Sequence, residues 1–143
     1  MPAPTMAFTI FRQGVLLVVH TKDNPTDEEW NEYIDYGRKN MGRFTSSLVI
    51  SEGGGPTTVQ RGQMNDLLEA NGFKGKVAVV TLNRLVRGIV TALSWFNPNI
   101  KAFTTVQVQA ALEYLGVAKD QQDIYIAEIK RLRDKVGISS ALS

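Results

Sequence analysis

The segment 51–58, Ser-Glu-Gly-Gly-Gly-Pro-Thr-Thr, has the composition of a loop that binds an anion. It stands between an apolar, strand-like run and a helix-like run. Glycines let backbone amides approach a ligand, Pro56 favours a first helical turn, and a threonine there lies at the positive end of the helix dipole. Anion binding and phosphorylation of Thr57 or Thr58 both fit. The segment lacks the Walker A lysine and the Gly-x-Gly-x-x-Gly spacing, so a tight turn into a helix capped by Thr58 is favoured.

Further polar residues are expected beyond the carboxyl ends of parallel strands, where open α/β sheets bind ligands. Arg84 and Arg87 lie one helical turn apart and would hold a phosphate together, although a solvated helix face explains them equally well. His20, as a general base near Glu52, is less favoured than a structural histidine. The candidate ligand- or partner-binding residues are Glu52, Gly53, Gly54, Gly55, Thr57, Thr58, Arg61, Asn83, Arg84 and Arg87.

Composition removes several classes of function. The 143 residues contain no cysteine and one histidine, which excludes thiol catalysis, thiolate metal sites and histidine-rich metal clusters. Asp27, Glu28 and Glu29 suit the start of a helix better than a metal site. The formal charge of +2 gives no strong nucleic-acid signal, although the pI is near 9.0. With no signal peptide and no membrane span evident, we expect a cytoplasmic protein that needs no cofactor.

The order of apolar patterns predicts an α/β domain. An antiparallel hairpin at 8–19 precedes a helix with a capping box at 26–29, which Gly42 closes. Strands at 46–51, 76–82 and 100–103 then alternate with three helices. The first covers 58–71, the second carries the apolar stripe Val86, Ile89, Val90 and Leu93 and stops at 97–99, and the third covers 108–115. A last helix covers 120–136. We expect a mostly parallel sheet of about five strands, with the hairpin at its N-terminus and four to five helices covering it. One domain spans 1–143, with flexible ends at 1–6 and 138–143.

Two apolar or basic features have alternative explanations. Trp95 and Phe96 are expected to seal the core at a helix end, in preference to forming an exposed anchor for a partner. The basic half of the last helix is expected to complement the negative helix terminus, in preference to meeting nucleic acid or lipid. Its members are Lys130, Arg131, Arg133 and Lys135. The apolar face of that helix packs on the sheet or on another protomer.

Several runs in the second half of the chain carry a family resemblance. They are Lys-Val-Ala-Val-Val-Thr at 76–81, the helix with Arg84 and Arg87, Trp-Phe-Asn-Pro at 95–98, Ile-Lys-Ala-Phe at 100–103, and Ala-Ala-Leu-Glu-Tyr-Leu-Gly at 110–116. With them, almost the whole chain resembles the SpoIIAA-like branch of the STAS superfamily, named after a bacterial anti-anti-sigma factor. Signalling members of that superfamily carry a phosphorylated serine at the start of the helix after the third strand. Thr57 and Thr58 take that position, without the Asp-Ser-Ser-Gly-like motif.

The resemblance implies a non-enzymatic regulatory or protein-interaction module that contacts its partner through the junction of the third strand and second helix. The partner is another protein or a second copy of the chain. The alternative is a binder of a small anionic ligand, such as a nucleotide, phosphorylated metabolite or lipid, that uses the glycine loop with Arg61, Arg84 or Arg87. An enzyme that uses His20 and Glu52 is the least favoured hypothesis.

Overall fold

A computed structural model describes residues 3–139 and contains five strands and five α-helices. The strands are β1 (Met6–Phe11), β2 (Val15–His20), β3 (Ser46–Ser51), β4 (Val77–Thr81) and β5 (Ile100–Phe103). The helices are α1 (Asp27–Lys39), α2 (Thr58–Ala70), α3 (Arg84–Ser94), α4 (Val108–Tyr114) and α5 (Gln122–Lys135). The predicted end segments lie partly outside the described residues. Within them, Met6 begins β1 and is buried.

The strands form one sheet in the order β1-β2-β3-β4-β5, with β1 antiparallel to β2 and the other pairs parallel. The register aligns His20 with Ser51 and Ser51 with Thr81, so these three parallel strands end along a common edge. The predicted α/β fold class is therefore confirmed. β2 is buried over its whole length, as its continuous apolar run predicts.

Each face of the sheet has its own core. On one face, α4 and α5 bury Leu112, Tyr125 and Ile129 against alternate residues of the parallel strands, among them Leu48 and Val80. On the other face, α1 and α2 bury a cluster that includes Trp30, Tyr33 and Met64. Alternate residues of a strand point to opposite faces, so one continuous apolar run can supply both cores.

The structure corrects the prediction for α3 and the aromatic pair after it. Trp95 is 78% exposed and Phe96 is 89% exposed, so the pair does not seal the core. Of the apolar stripe predicted for this helix, Val90 is buried while Ile89 and Leu93 remain 38% and 37% exposed. The physical reason is position: α3 packs on β4 and β5 at one end of the sheet, whereas α2 packs beside α1.

The helix termini follow the local sequence signals, except that Gly42 does not close α1 and Thr58 does not cap α2. Thr26 caps α1 in the predicted capping box with Glu29, and the helix ends at Lys39, before Gly42. Thr57 is the cap of α2, so the assignment of that role to Thr58 is wrong. Both helices begin with a Thr-x-x-Glu or Thr-x-x-Gln pattern, in which side chains satisfy the free amides of the first turn.

Candidate functional site

The glycine loop at the end of β3 is held by hydrogen bonds within the protein. The Gly53 amide donates to Ser51 Oγ at 3.0 Å, and Ser51 Oγ donates to the Gly54 carbonyl at 2.6 Å. The Gly54 amide donates to the Thr21 carbonyl at 2.8 Å, which ties β3 to the loop after β2. Because the amides of Gly53 and Gly54 already have acceptors, this loop is a structural turn and not an open phosphate cradle.

Gly54 is required because another chain segment passes directly beside it. A Cβ atom at Gly54 would lie 2.5 Å from the Thr21 carbonyl oxygen and nearer still to the Asp23 carbonyl oxygen. Both obstacles are backbone atoms, so no side-chain rotation removes the clash. Gly53 has a φ of 129°, which favours glycine for a different reason. The glycines thus allow close packing between the loops that follow β2 and β3.

The start of α2 is also satisfied by the chain itself. Thr57 Oγ1 accepts from the Gln60 amide at 3.2 Å, and Gln60 Oε1 accepts from the Thr57 amide at 2.9 Å. Gln60 is buried, and its Nε2 donates to the Pro25 carbonyl at 3.0 Å. In return, Trp30 Nε1 donates to the Gln60 carbonyl at 2.8 Å. Sequence reasoning missed Gln60, although the Thr-x-x-Gln spacing at 57–60 was the available signal.

The outer side of this junction carries exposed residues of mixed chemistry. Thr57 and Thr58 are exposed, and Val59 in the first turn of α2 is 74% exposed. Leu82, which follows the adjacent strand β4, is 64% exposed. We call these four residues the junction surface. It combines hydroxyl and aliphatic side chains on a base fixed by internal hydrogen bonds.

Asn83 links the junction to α3 in a structural role. Its side-chain Oδ1 accepts from the Val86 backbone amide at 3.0 Å and caps α3, while the Asn83 backbone amide donates to Thr81 Oγ1 at 3.1 Å. A Cβ atom at Gly53 would lie 3.1 Å from Asn83 Nδ2, so the two loops are in direct contact. The structure therefore brings Gly53 and Asn83 together, as expected for neighbouring strand ends.

The three candidate arginines are not assembled into one pocket. Arg84 is exposed, and Arg87 is partly buried with its Nε enclosed and without a hydrogen-bond partner. Arg61 Nη2 lies 3.4 Å from Thr58 Oγ1, a long contact along its own helix. Of two open hollows in the described chain, about 440 and 250 Å³ in volume, neither is lined by any of these three arginines.

Glu52 makes an ion pair that sequence reasoning did not foresee. Arg133 Nη2 donates to Glu52 Oε1 at 2.7 Å, and the Arg133 side chain is only 5% exposed. Arg133 was expected to complement the negative end of its own helix, and the structure adds an ion pair with Glu52. The pair links α5 to the end of β3 across 81 residues of sequence. Glu52 is 29% exposed and lines one side of the larger hollow.

His20 is buried at the end of β2 and has the properties of a structural histidine. Burial lowers its pKa to about 4, and the nearby negative charge of Glu29 only partly opposes that change. The imidazole is therefore neutral at pH 7. The Glu52 carboxylate, its suggested catalytic partner, is paired with Arg133. The described residues contain no cluster of three or more metal-ligating side chains, and none of their helices is long and apolar enough to cross a membrane.

Comparison with known proteins bears on the fold. Neither a protein-family model nor a curated protein matches the chain. A solved structure does: an uncharacterized protein of the DUF3478 family with a SpoIIAA-like fold, from Shewanella loihica PV-4. The two superpose with a TM-score of 0.61 at 17% identity, over 80% of this chain and 97% of the other. The chain has a SpoIIAA-like fold.

In this SpoIIAA-like domain the β3–α2 junction lies at the carboxyl edge of the sheet, between the loops that follow β2 and β4. The resemblance found in the sequence is therefore confirmed at the level of the fold. The roles of the junction residues are a separate question, because a likeness at this identity carries architecture and not activity.

Proposed function

We propose that this SpoIIAA-like domain is a non-enzymatic regulatory or interaction module that binds a protein partner through the junction surface. The observation that supports the proposal is the combination of a fixed base and an exposed, partly apolar outer side. Val59 and Leu82 are each at least 64% exposed although they are large and apolar. Exposed apolar residues with polar neighbours are typical of protein-binding surfaces.

The internal hydrogen bonds of the junction favour a protein over a small anion as its ligand. A phosphate would have to displace Ser51 or Thr21 to reach the amides of Gly53 and Gly54. A protein partner needs no such rearrangement, because the side chains that it would meet already point outward. Preformed surfaces also bind with a lower entropic cost. For this reason the small anionic ligand ranks behind a protein partner.

Regulation by phosphorylation is part of the proposal, with Thr58 favoured over Thr57. The Thr57 hydroxyl accepts the capping hydrogen bond from Gln60, whereas Thr58 Oγ1 has only the long contact with Arg61. A phosphate on Thr58 would lie in the first turn of α2, near its positive end and close to a guanidinium group. Mass spectrometry of the protein from its own cells should find phosphate on Thr58. Phosphate on Thr57 alone would contradict this preference.

The experiment that tests the surface is a quantitative co-precipitation from the cells that produce the protein. Thr58→Glu, Val59→Asp and Arg61→Ala change the surface without removing the Thr57 cap. Asn65→Asp, which adds one negative charge two turns further along α2 at an exposed position, is the matched control. We expect the three junction variants to lose at least one partner that the control retains. Identical partner sets for all four variants and wild type would refute the proposal.

A thermal-shift screen with inorganic phosphate and nucleotides tests the alternative hypothesis, in which the ligand is a small anion. A ligand present at a hundred times its dissociation constant stabilises a protein by about 2.7 kcal/mol. We expect no anion to give a shift that Arg61→Ala abolishes. Such a shift, together with unchanged co-precipitation, would replace the protein partner with a small anion.

A further inference from the structure

One helix exposes apolar side chains on the side that faces away from the sheet. Four apolar residues are exposed: Leu85 (75%), Ile89 (38%), Phe96 (89%) and Ala92. Their spacing places them on one line along α3 and the turn that follows it, which we call the α3 stripe. The opposite side of the helix buries Val90 on the sheet. A helix that is apolar on two opposite sides is typical of one that is covered on both.

The spacing of the α3 stripe suits contact with a second copy. Its residues follow one another at intervals of four, three and four, so the intervals are the same in both directions. In an antiparallel pair of α3 helices about a two-fold axis, Leu85 meets Phe96 of the second copy. The large Ile89 then meets the small Ala92. We propose that the α3 stripe is the two-fold interface of a homodimer, independently of the function proposed for the junction.

The charges of α3 complement those of an antiparallel copy. Arg84 stands in the first turn, next to the positive end of its own helix dipole, and the last turn carries no basic residue. In the antiparallel pair, Arg84 lies beside the negative end of the second α3, where a cation is favoured. Trp95 of the second copy is 78% exposed at that end and offers a ring for a cation–π contact. By symmetry, Arg84 of the second copy makes the same contacts with the first copy.

The size of the exposed apolar area also fits a dimer. Trp95 and Phe96 are both mostly exposed, and aromatic side chains bury 150–250 Å² each, so the pair contributes roughly 300 Å² per copy. Leu85 and Ile89 add to this area, which is a substantial share of the roughly 800 Å² per partner of a standard interface. The amides of Phe96 and Asn97 both donate to the Leu93 carbonyl, so the helical path continues through Phe96.

Analytical ultracentrifugation of the purified chain tests the proposal. At roughly 10 µM, wild type should sediment with twice the monomer mass of 15.8 kDa. Leu85→Asp and Phe96→Asp should each raise the dissociation constant at least tenfold, because buried interface anchors carry most of the affinity. Val106→Asp, a similar change at a 74% exposed position outside the stripe and the junction surface, should leave the dimer intact. Far-ultraviolet circular dichroism checks that each variant remains folded.

A second experiment tests the orientation of the helices. The chain has no cysteine, so Ala92→Cys introduces a single thiol. In the antiparallel pair the two thiols are separated by about 4.5 Å along the helix direction, which a disulfide can span. Mild oxidation should give disulfide-linked dimers of Ala92→Cys, while Thr58→Cys stays monomeric on the denaturing gel.

Three results would overturn the proposal. They are a monomeric wild type at this concentration, a dimer that Leu85→Asp and Phe96→Asp leave unchanged, and a dimer in which Ala92→Cys does not cross-link. A monomer that binds anionic phospholipid vesicles, and loses that binding with Leu85→Asp, would assign the stripe to a membrane surface instead. A monomer that needs the stripe to bind another protein would likewise refute self-association.

Discussion

Replacement of Gly54 by alanine tests the claim that the glycine loop is a rigid structural turn. The added Cβ atom would lie 2.5 Å from the Thr21 carbonyl oxygen and nearer still to that of Asp23. Since ordinary carbon–oxygen contacts are much longer, the two loops must move apart. That movement weakens the hydrogen bond from the Gly54 amide to Thr21 and the one from Ser51 Oγ to the Gly54 carbonyl.

The expected cost follows from these contacts. Because the two hydrogen bonds are weakened and not lost, they contribute about 1 kcal/mol together, and overpacking of a closely packed site adds about 1–3 kcal/mol. We therefore expect Gly54→Ala to lower the free energy of unfolding by about 2–4 kcal/mol. For a chain of this length that corresponds to a fall in Tm of about 10 °C.

Urea denaturation followed by circular dichroism measures this change, with Gly62→Ala as the matched control. Gly62 lies inside α2, and a Cβ atom there would meet nothing within 4 Å. Alanine should stabilise that helix by about 0.5–1 kcal/mol. The same substitution should therefore have opposite effects at the two positions. A Gly54→Ala variant within about 0.5 kcal/mol of wild type would refute the rigid turn.

Two further predictions concern buried charge. His20 binds a proton near pH 6.5 when unfolded but only near pH 4 when folded, so stability should fall by about 3 kcal/mol between those values as the pH drops. His20→Gln should remove that part of the pH dependence of the free energy of unfolding, measured by denaturation. If the free energies of the variant and wild type change in parallel with pH, the prediction is wrong. Glu52→Ala should cost about 2 kcal/mol, because the buried Arg133 guanidinium loses this ion pair. Asp35→Ala, which breaks the exposed pair with Arg38, should cost less than about 0.5 kcal/mol, and equal costs would show that burial does not matter.

The sequence was sufficient for the architecture because strand and helix periodicities are local. The continuous apolar run of β2 and the capping box at Thr26 predicted their elements correctly. Contacts between distant segments were not predictable in this way. Nothing near Arg133 in the sequence indicates that Glu52 lies beside it, and nothing near Gly54 shows that the loop after β2 passes at van der Waals contact.

The aromatic pair shows a second limit of sequence reasoning. Trp95 and Phe96 were expected in the core because large apolar residues are usually buried. Whether a helix end faces the sheet or solvent depends on which strands the helix covers, and α3 covers the last two. An apolar surface intended for another molecule has the same local composition as a core. Only the three-dimensional arrangement separates the two.

Site-specific photo-crosslinking at the junction surface tests the central claim most directly. A photoreactive amino acid at Val59, in living cells, should give a covalent adduct with one defined protein. The same amino acid at the exposed Asn65 of the same helix should give none. An adduct from both positions, or from neither, would contradict the conclusion that the β3–α2 junction is where this SpoIIAA-like domain binds its partner.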